Sequence, residues 1–572
     1  MIKVIQRQQG DISQFSDAIP ILLKRIYASR GISCDAQLAR SLRSLLGFDQ
    51  FKGMDRGVQM LAKALANDKH IMIVGDFDVD GATSTTLSIL ALRLLGGANI
   101  SYLIPSRFDD GYGLTPSVVE QAHQQDADLI LTVDNGISSI EGVACAHQLG
   151  IEVVVTDHHL PGMVLPEADA IINPNLPHSG FASGALAGVG VAFYTMMALR
   201  KFLREEHWFE NRNIAEPNLA RFLDLVALGT IADVVPLDMN NRILVHQGLL
   251  RIQRGVCRPG ITALIEVAGK KQSSLASSDL GFSLGPRLNA AGRLDSMSLG
   301  IELLLSSNLI EAKQKAIELD ALNQSRKEIE ESMKIEAMGI CEKLQFEEES
   351  MPMGLVLFHP EWHQGVIGII ASRIKDRYHR PTIVFAQGED GLLKGSCRSI
   401  PHFHMRDALE AINTVSPGLM LKFGGHAMAA GLSIEKDQLD FFTQAFATQA
   451  KVLLHMEDLQ GVLVTDGTLD AHAFNINTAE MIRDAGPWGQ NFPEPLFEGK
   501  FKILNQKLVG RKHLKLMLEP CAGGPMIDAI AFNIDLNIWP DASRQEIDIV
   551  YKLDINHFRG QSNLQLIIEY IA

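Results

Sequence analysis

Three carboxylates alternate in the stretch Gly75-Asp76-Phe77-Asp78-Val79-Asp80-Gly81, directly after the apolar run Ile71 to Val74. Carboxylates crowded in this way raise one another's pKa unless a cation compensates, and a hard divalent metal is the natural compensation. Asp134-Asn135-Gly136 follows a second apolar run, Asp157-His158-His159 follows a third, and Asp233 lies just past a fourth apolar segment. An acidic set with one imidazole suits a two-metal hydrolytic centre. Two divalent ions there would lower the pKa of a shared water and hold the non-bridging oxygens of a phosphoryl group. Carboxylate-rich ligation favours manganese or magnesium, and the imidazole tilts the choice to Mn2+. In this reading His159 touches the scissile phosphate, while Asp157 orients a neighbour. An EF-hand loop is excluded, because its twelfth position requires Glu and is here Leu87, and because a strand precedes the motif. An acidic surface turn that binds nothing is the plainer alternative, weakened by carboxylates at the ends of three such runs.

Such residues need a scaffold. Strand-like runs at 71–74, 100–104, 129–133, 151–155 and 169–172, with helix-like stretches near 82–96, 115–125 and 138–149, predict a parallel sheet covered by helices. Ligands of such sheets bind beyond the carboxyl ends of the strands. The fold class expected is α/β. A helical cap at 1–69 precedes a parallel-sheet catalytic domain at 70–300. A long connecting helix at 301–350 leads to a second α/β domain at 351–458, and an OB-like β-barrel at 459–572 ends the chain.

Other residues could serve a phosphate-bearing ligand. Arg287, Asn289 and Arg293 could clamp phosphates, since a guanidinium makes bidentate contacts; an Arg that holds a turn through backbone carbonyls is the alternative. Arg107 follows another strand end. Arg373, Ser396, Arg398 and Ser399 are candidate phosphate contacts in the second α/β region. In the β region, Lys500, Lys502, Lys507, Arg511, Lys512, His513 and Lys515 make a basic run, with Phe532, Tyr551 and Phe558 available for stacking. Solvated lysines and core aromatics are the competing reading. The stretch Gly184 to Gly190 lacks dinucleotide-loop spacing and is assigned to helix packing.

A chain of 572 residues predicts two to four domains. At 46% hydrophobic and 21% charged it has an ordinary globular composition. No apolar run is long enough for a membrane span, and the first residues do not read as a signal peptide. Six scattered cysteines without Cys-x-x-Cys argue against disulfides and structural zinc and fit a reducing cytoplasm. A net charge of −15 excludes a globally basic nucleic-acid binder, so such binding must use local basic patches and metal ions.

The ordered set Asp-Phe-Asp-Val-Asp-Gly, Asp134-Asn-Gly, Asp157-His-His and Asp233 resembles the DHH phosphoesterase family. The resemblance implies metal binding by Asp78, Asp80, Asp134, His158 and Asp233, with Asp76 as a sixth acidic member. Smaller pyrophosphatase members carry a His where this chain has Val74, which leaves the first-metal shell less defined than the second. Gly424-Gly425-His426 resembles the accessory substrate domain, which implies substrate contacts by Gly425, His426, His363 and the second-domain Arg and Ser residues. Length and a C-terminal β domain resemble the members that degrade single-stranded DNA. They imply a metal-dependent 5′ to 3′ exonuclease of recombination and mismatch repair, with Arg107 reaching the 5′ end and Lys502, Arg511, Lys512 and Lys515 on the strand. The second domain would close over the strand and leave no room for duplex. Partners implied are single-stranded DNA, a single-strand DNA-binding protein and a recombination helicase, with no membrane. A family enzyme acting on short oligonucleotides or cyclic dinucleotides, and a non-catalytic strand-binding scaffold, are the alternatives. Length argues against the first, and the intact ligand set against the second.

Overall fold

The computed structural model describes residues 2–106, 110–347, 351–388, 391–510, 512–536, 538–558 and 561–572. Arg107 and Arg511 lie outside the described residues, and so does the side chain of Phe558. The chain divides into two compact units, Gln6–Asp320 with Val464–Ala572, and Met1–Ile5 with Ala321–Leu463.

In the first unit, β1 (Ile71–Val74), β2 (Ile100–Leu103), β3 (Leu129–Val133), β4 (Glu152–Thr156) and β5 (Ala170–Ile172) form one sheet. The order is β2-β1-β3-β4-β5, and every pair is parallel. Residues of β1 and β3 are buried throughout, which is why both read as continuous apolar runs rather than as alternation. Chain direction across the sheet reverses at β1, which lies between β2 and β3. The crevice beyond the carboxyl ends at such a reversal is where open α/β sheets take ligands. Four helices matter to that crevice, α1 (Val79–Leu94), α2 (Gly188–Glu205), α3 (Leu223–Ala232) and α5 (Gly285–Leu294), and α4 (Met239–Gln253) packs against α3. α5 is entered through a π-helical turn, Leu280–Leu284.

The helical N-terminal region expected from the sequence is only part of what is found. Met54–Ala66 is a helix, but Lys3–Gln6 is a strand paired with Val462–Thr465. Its residues are mostly exposed, so it carries no alternation by which a half-buried strand is read.

The charged stretch forms α6 (Leu309–Glu347), within which the division between the units falls. In the second unit, β6 (Leu355–Phe358), β7 (Thr382–Gln387), β8 (Leu393–Arg398), β9 (Lys422–Gly425) and β10 (Ala429–Ile434) form a mixed sheet in the order β9-β10-β8-β7-β6. Phe385, Phe403, Phe442 and Phe446 fill its core.

Back in the first unit, β11 (Phe497–Val509), β12 (His513–Pro520), β13 (Ile527–Ala531), β14 (Glu546–Phe558) and β15 (Gln561–Ile571) close into a barrel, as the β-rich C-terminus predicts. Alternate β12 residues are buried, the period-two signature of a barrel wall. All six cysteines are free thiols. No helix among the described residues is long and apolar enough to cross a membrane.

Candidate metal centre

Each acidic motif sits at a strand's carboxyl end because of how its chain turns. After β1, Asp76 accepts the Phe77 amide at 2.6 Å, and Asp78 caps α1 by accepting the Gly81 amide at 3.0 Å. Asp80 thereby falls in the first turn of α1, where its two oxygens accept the Gly188 and Val189 amides of α2 at 2.6 and 2.9 Å. Two helix N-termini thus share one buried carboxylate. After β3, Asp134 takes a left-handed backbone (φ 63°), which Asp tolerates better than most residues. Asn135 ties this turn to its neighbour by donating to the Val74 and Val133 carbonyls, both at 3.0 Å. After β4, Asp157 accepts from the Ile137, His158 and His159 amides at 2.9, 2.7 and 3.1 Å and from His159 Nδ1 at 2.7 Å. Both of its oxygens are engaged, so Asp157 positions His159 and the turn rather than facing a cation.

Two donor sets result, joined by a third group, Asp134, His158 and His159. One ligand atom each of Asp76, Asp78 and Asp134 lies within 4.8 Å of the others, and Asp80, His158 and Asp233 do the same. His158 Nε2 is 3.1 Å from Asp134, 3.5 Å from Asp233 and 3.9 Å from Asp80, so Asp134 stands between the two sets. Asp233 arrives from the far end of α3, which packs close to α1: a Cβ at Gly229 would lie 2.8 Å from Asp80 Oδ1.

The electrostatics are those of a cation site. Burial, and then Asp80 and its fellow carboxylates, push Asp134 and Asp233 well above the usual carboxylate range. Burial with the Asp78 charge carries Asp80 to about 7. Asp134 Oδ1 and Asp233 Oδ2 are buried and take part in no hydrogen bond. Such oxygens are costly without compensation, and a divalent cation among them supplies it. The donor set therefore fits oxygen-preferring ions with one imidazole ligand. Burial alone would lower His159, but the Asp157 hydrogen bond and the charges of Asp157, Asp76 and Asp78 outweigh it and carry the imidazole to about 9. Burial alone would raise Asp157, yet the His159 hydrogen bond and charge hold it below its ordinary range.

Several neighbours carried no sequence signal. The Tyr112 hydroxyl lies 3.2 Å from His159 Nε2 and 3.4 Å from the Asp134 carbonyl. Asn173 and Asn175 donate to the His159 and His158 carbonyls at 2.9 and 2.6 Å. Gly184 to Gly190 does serve packing, as read, but what Gly188 packs against is the metal centre: a Cβ there would lie 2.5 Å from Asp134 Cβ.

The remaining sequence candidates divide. Asn289 accepts the Val79 amide at 3.2 Å, holding the first acidic turn, and Arg293 lies on the same helix α5. Arg287 pairs with Asp320 at 2.8 Å and donates to the Ser283 carbonyl at 2.6 Å, which matches the turn-holding alternative. In the second unit, Arg373 pairs with Glu330 at 2.9 Å. Arg398 donates to the Cys397 carbonyl at 2.7 Å and approaches Ser396 Oγ at 3.3 Å. Ser399 is a correction: it is buried, and its hydroxyl donates to the Phe403 carbonyl at 2.6 Å to close a turn, so it does not face a phosphate. His363 Nδ1 accepts the Gly365 amide at 3.1 Å, and Gly425 (φ 142°) ends β9 beside His426, whose amide donates to the Ala429 carbonyl at 2.8 Å.

On the barrel, Lys500 pairs with Glu546 at 2.7 Å and Lys515 with Asp528 at 3.0 Å, while Lys502 stays half-exposed at 3.9 Å from Glu519. Lys512 precedes β12. Lys500 and Lys515 are thus balanced by carboxylates on adjacent strands, which spacing along one chain cannot reveal. Tyr551 follows the core reading of the aromatics: it is buried in the barrel core against Phe501 and offers no platform for a base. Phe532 is half-exposed beside His513.

Comparison with known proteins meets this geometry. Residues 70–230 match the DHH family N-terminal domain, 352–451 the DHHA1 domain and 465–570 the RecJ OB domain. The chain is similar to the single-stranded-DNA-specific exonuclease RecJ of Escherichia coli, at 58% identity over 100% of this chain and 99% of that one. The RecJ of Dickeya dadantii is 57% identical with the same coverage. Among solved structures, RecJ of Thermus thermophilus in complex with Mn2+ superposes with a TM-score of 0.80 at 27% identity, covering 100% of this chain and 79% of that one. Its complex with Mg2+ gives 0.74 at 26% identity, over 100% and 78%. With its acidic motifs converging on one crevice and full-length relatives above half identity, the chain belongs to the RecJ family within the DHH phosphoesterases.

Proposed function

We propose that this chain is a metal-dependent exonuclease that hydrolyses single-stranded DNA from its 5′ end. The observation that carries the reading is the pair of donor sets joined at Asp134 and His158, at the switch point of a parallel sheet. Asp76, Asp78 and Asp134 would hold one divalent ion, and Asp80, His158 and Asp233 the other, with Asp134 shared. Bound Mn2+ or Mg2+ supplies charge neutralisation at the phosphate and a water of lowered pKa for displacement at phosphorus. Asp157 keeps His159 oriented and protonated, so the imidazolium can donate to a non-bridging phosphate oxygen as negative charge builds there. Tyr112 limits the movement of that ring. The α2 amides keep Asp80 in place without consuming a side chain.

Polarity is supported by the family resemblance, as is a role for Arg293, Arg398, His363, His426 and Lys512 on the substrate. Domain limits of 70–300, 351–458 and 459–572 are supported by the three matched family regions. Association with a single-strand DNA-binding protein and a recombination helicase, in the cytoplasm, belongs to the same proposal and rests on family membership.

The test is Mn2+-dependent release of label from a single strand marked at its 5′ or its 3′ end, beside duplex and RNA. Asp134→Ala and Asp157→Ala serve as controls. Early mononucleotide release from the 5′ label of single-stranded DNA, lost in both variants, is the expected result. Earlier release from the 3′ label would overturn the polarity, and turnover of dinucleotides alone would move the enzyme to short substrates.

A further inference from the structure

Behind the ligands, one buried amide joins two parts of the metal centre that lie far apart in sequence. Asn241 stands in the first turn of α4 and is 0% exposed. Its Nδ2 donates to the Ala185 carbonyl at 2.6 Å and to the Pro236 carbonyl at 2.9 Å. Carbonyl oxygens only accept, so the NH2 end of the amide must face them. The Oδ1 end is left buried without a hydrogen bond. Buried acceptors are seldom left unpaired, so the two carbonyls outweigh that loss in setting how this side chain points. One planar NH2 group that serves both carbonyls also fixes the distance between them.

The two carbonyls belong to segments that end on one donor set. Ala185 leads into α2, whose Gly188 and Val189 amides hold Asp80. Pro236 follows Asp233. Asp80 and Asp233 then meet again in the donor set completed by His158. The same turn of α4 repeats the tie: Asp238, its cap, accepts the Ser183 hydroxyl at 2.5 Å, and Arg242 donates to the Leu237 carbonyl at 2.9 Å. Between Asp233 and Pro236 the backbone is strained. Val234 is left-handed at φ 61°, a region that a β-branched residue rarely enters. It is 62% exposed, so packing of its own side chain does not hold it there. Such a conformation persists only where its surroundings impose it. On one side the Asp233 amide is fixed to the Gly229 carbonyl at 2.9 Å, and on the other the Pro236 carbonyl is fixed to Asn241.

We infer that Asn241 is a positioning residue for the ion assigned to Asp80, His158 and Asp233. By joining the Ala185 and Pro236 carbonyls it keeps the left-handed turn at Val234 closed, and so holds Asp233 against Asp80. The inference rests on the reading of the chain as a two-metal nuclease. Asn241 itself touches neither a metal ligand's side chain nor the crevice.

Mn2+ binding to the full chain is the test, with free Mn2+ followed by its electron paramagnetic resonance, beside hydrolysis of single-stranded DNA. The wild type binds two ions. Asn241→Ala weakens about 10- to 100-fold the ion that Asp233→Ala abolishes, and leaves the other within about twofold. Its kcat falls at limiting Mn2+ and recovers at saturating Mn2+, while KM for the strand stays within about twofold. Asn241→Ser, with one donor for two carbonyls, weakens the same ion less and serves if the alanine variant does not fold. Two controls separate positioning from packing. Asn240→Ala removes the neighbouring buried amide, which accepts the Leu46 amide at 3.1 Å and the Tyr194 hydroxyl at 3.0 Å. It should lower the melting temperature and keep both Mn2+ affinities within about twofold. Val234→Gly added to Asn241→Ala should restore most of the lost affinity, because glycine takes the left-handed region without strain. Equal weakening of both ions, the same loss in Asn240→Ala, or no recovery with Val234→Gly overturns the role of Asn241. A wild type that binds no Mn2+ overturns it together with the metal centre. A wild type whose Mn2+ binding depends on Asn241 but that hydrolyses nothing leaves this role standing and overturns the nuclease reading.

Discussion

At Asp134 a single side chain joins one donor set to the other through His158, 3.1 Å away, and its neighbours are shaped around it. Gly188 is the sharpest case, because its missing side chain is what lets α2 bring its amides to Asp80 while passing Asp134. Gly188→Ala should place a methyl 2.5 Å from Asp134 Cβ and displace that carboxylate. The expected loss is about 100-fold in kcat/KM with a raised Mn2+ requirement, the upper range for disturbing a ligand's support. Gly190→Ala, two residues on, meets only the end of the flexible Leu186 side chain at 3.0 Å and should stay within about twofold. Equal losses in the two variants would show that helix packing alone is at stake. The sequence makes Gly188 look like one small residue among several, because only the fold brings residues 80, 134 and 188 together.

The elements divide by the kind of signal each carries. β1, β3 and β4 are legible from apolar runs, and the barrel from its β-rich texture. Lys3–Gln6 is not, since pairing without burial leaves no pattern. The barrel also decides which lysines remain available to a strand of DNA. Lys515 is bonded to Asp528 on β13, whereas Lys502 stands further from Glu519. Lys502→Ala should therefore lower the salt dependence of single-strand binding by about one phosphate contact, a slope change of about 0.7. Lys515→Ala should leave the slope unchanged; a salt titration of strand affinity separates them. On α4, burial with the nearby Arg40 charge depresses His246 to about 4. Between about pH 6.5 and 4 the unfolded chain takes up a proton there that the folded chain refuses, so stability falls as pH drops through that window. His246→Gln should flatten the decline by about 1 kcal/mol at pH 5, after discount for partial exposure, as read by denaturant midpoints.

For the molecule as a whole, the metal centre is a store of unfavourable charge that binding relieves. Four of its carboxylates, Asp76, Asp80, Asp134 and Asp157, are buried within one crevice. His159 holds Asp157 below its ordinary range, whereas Asp80 and Asp134 are driven up. Stripping divalent metal should lower the unfolding free energy of the first unit, and Mn2+ at about 100 times its dissociation constant should restore roughly 2.7 kcal/mol. Asp134→Ala should abolish the Mn2+ dependence of the melting temperature while it raises the metal-free value, because a buried like charge is removed. A metal-independent melting curve in the wild type would contradict the two-set assignment.

What the sequence by itself determined was the chemistry and its frame. Carboxylates at the ends of apolar runs, the triplet at 157–159 and the β-rich texture after residue 460 are local patterns, written in neighbours along the chain. Side-chain type and short-range spacing suffice to read them. Only the tertiary structure decided how those groups are held and which are free to act. Asp157 is consumed by backbone amides, Arg287 by Asp320, Ser399 by Phe403, Tyr551 by the barrel core, and Asp80 is clasped by a helix more than a hundred residues away. Some of those partners are neighbours along the chain, as Phe403 is to Ser399, and others come from far away, as Gly188 does to Asp80, but a hydrogen bond or a burial is a property of the folded pair, so neither member's residue type announces it.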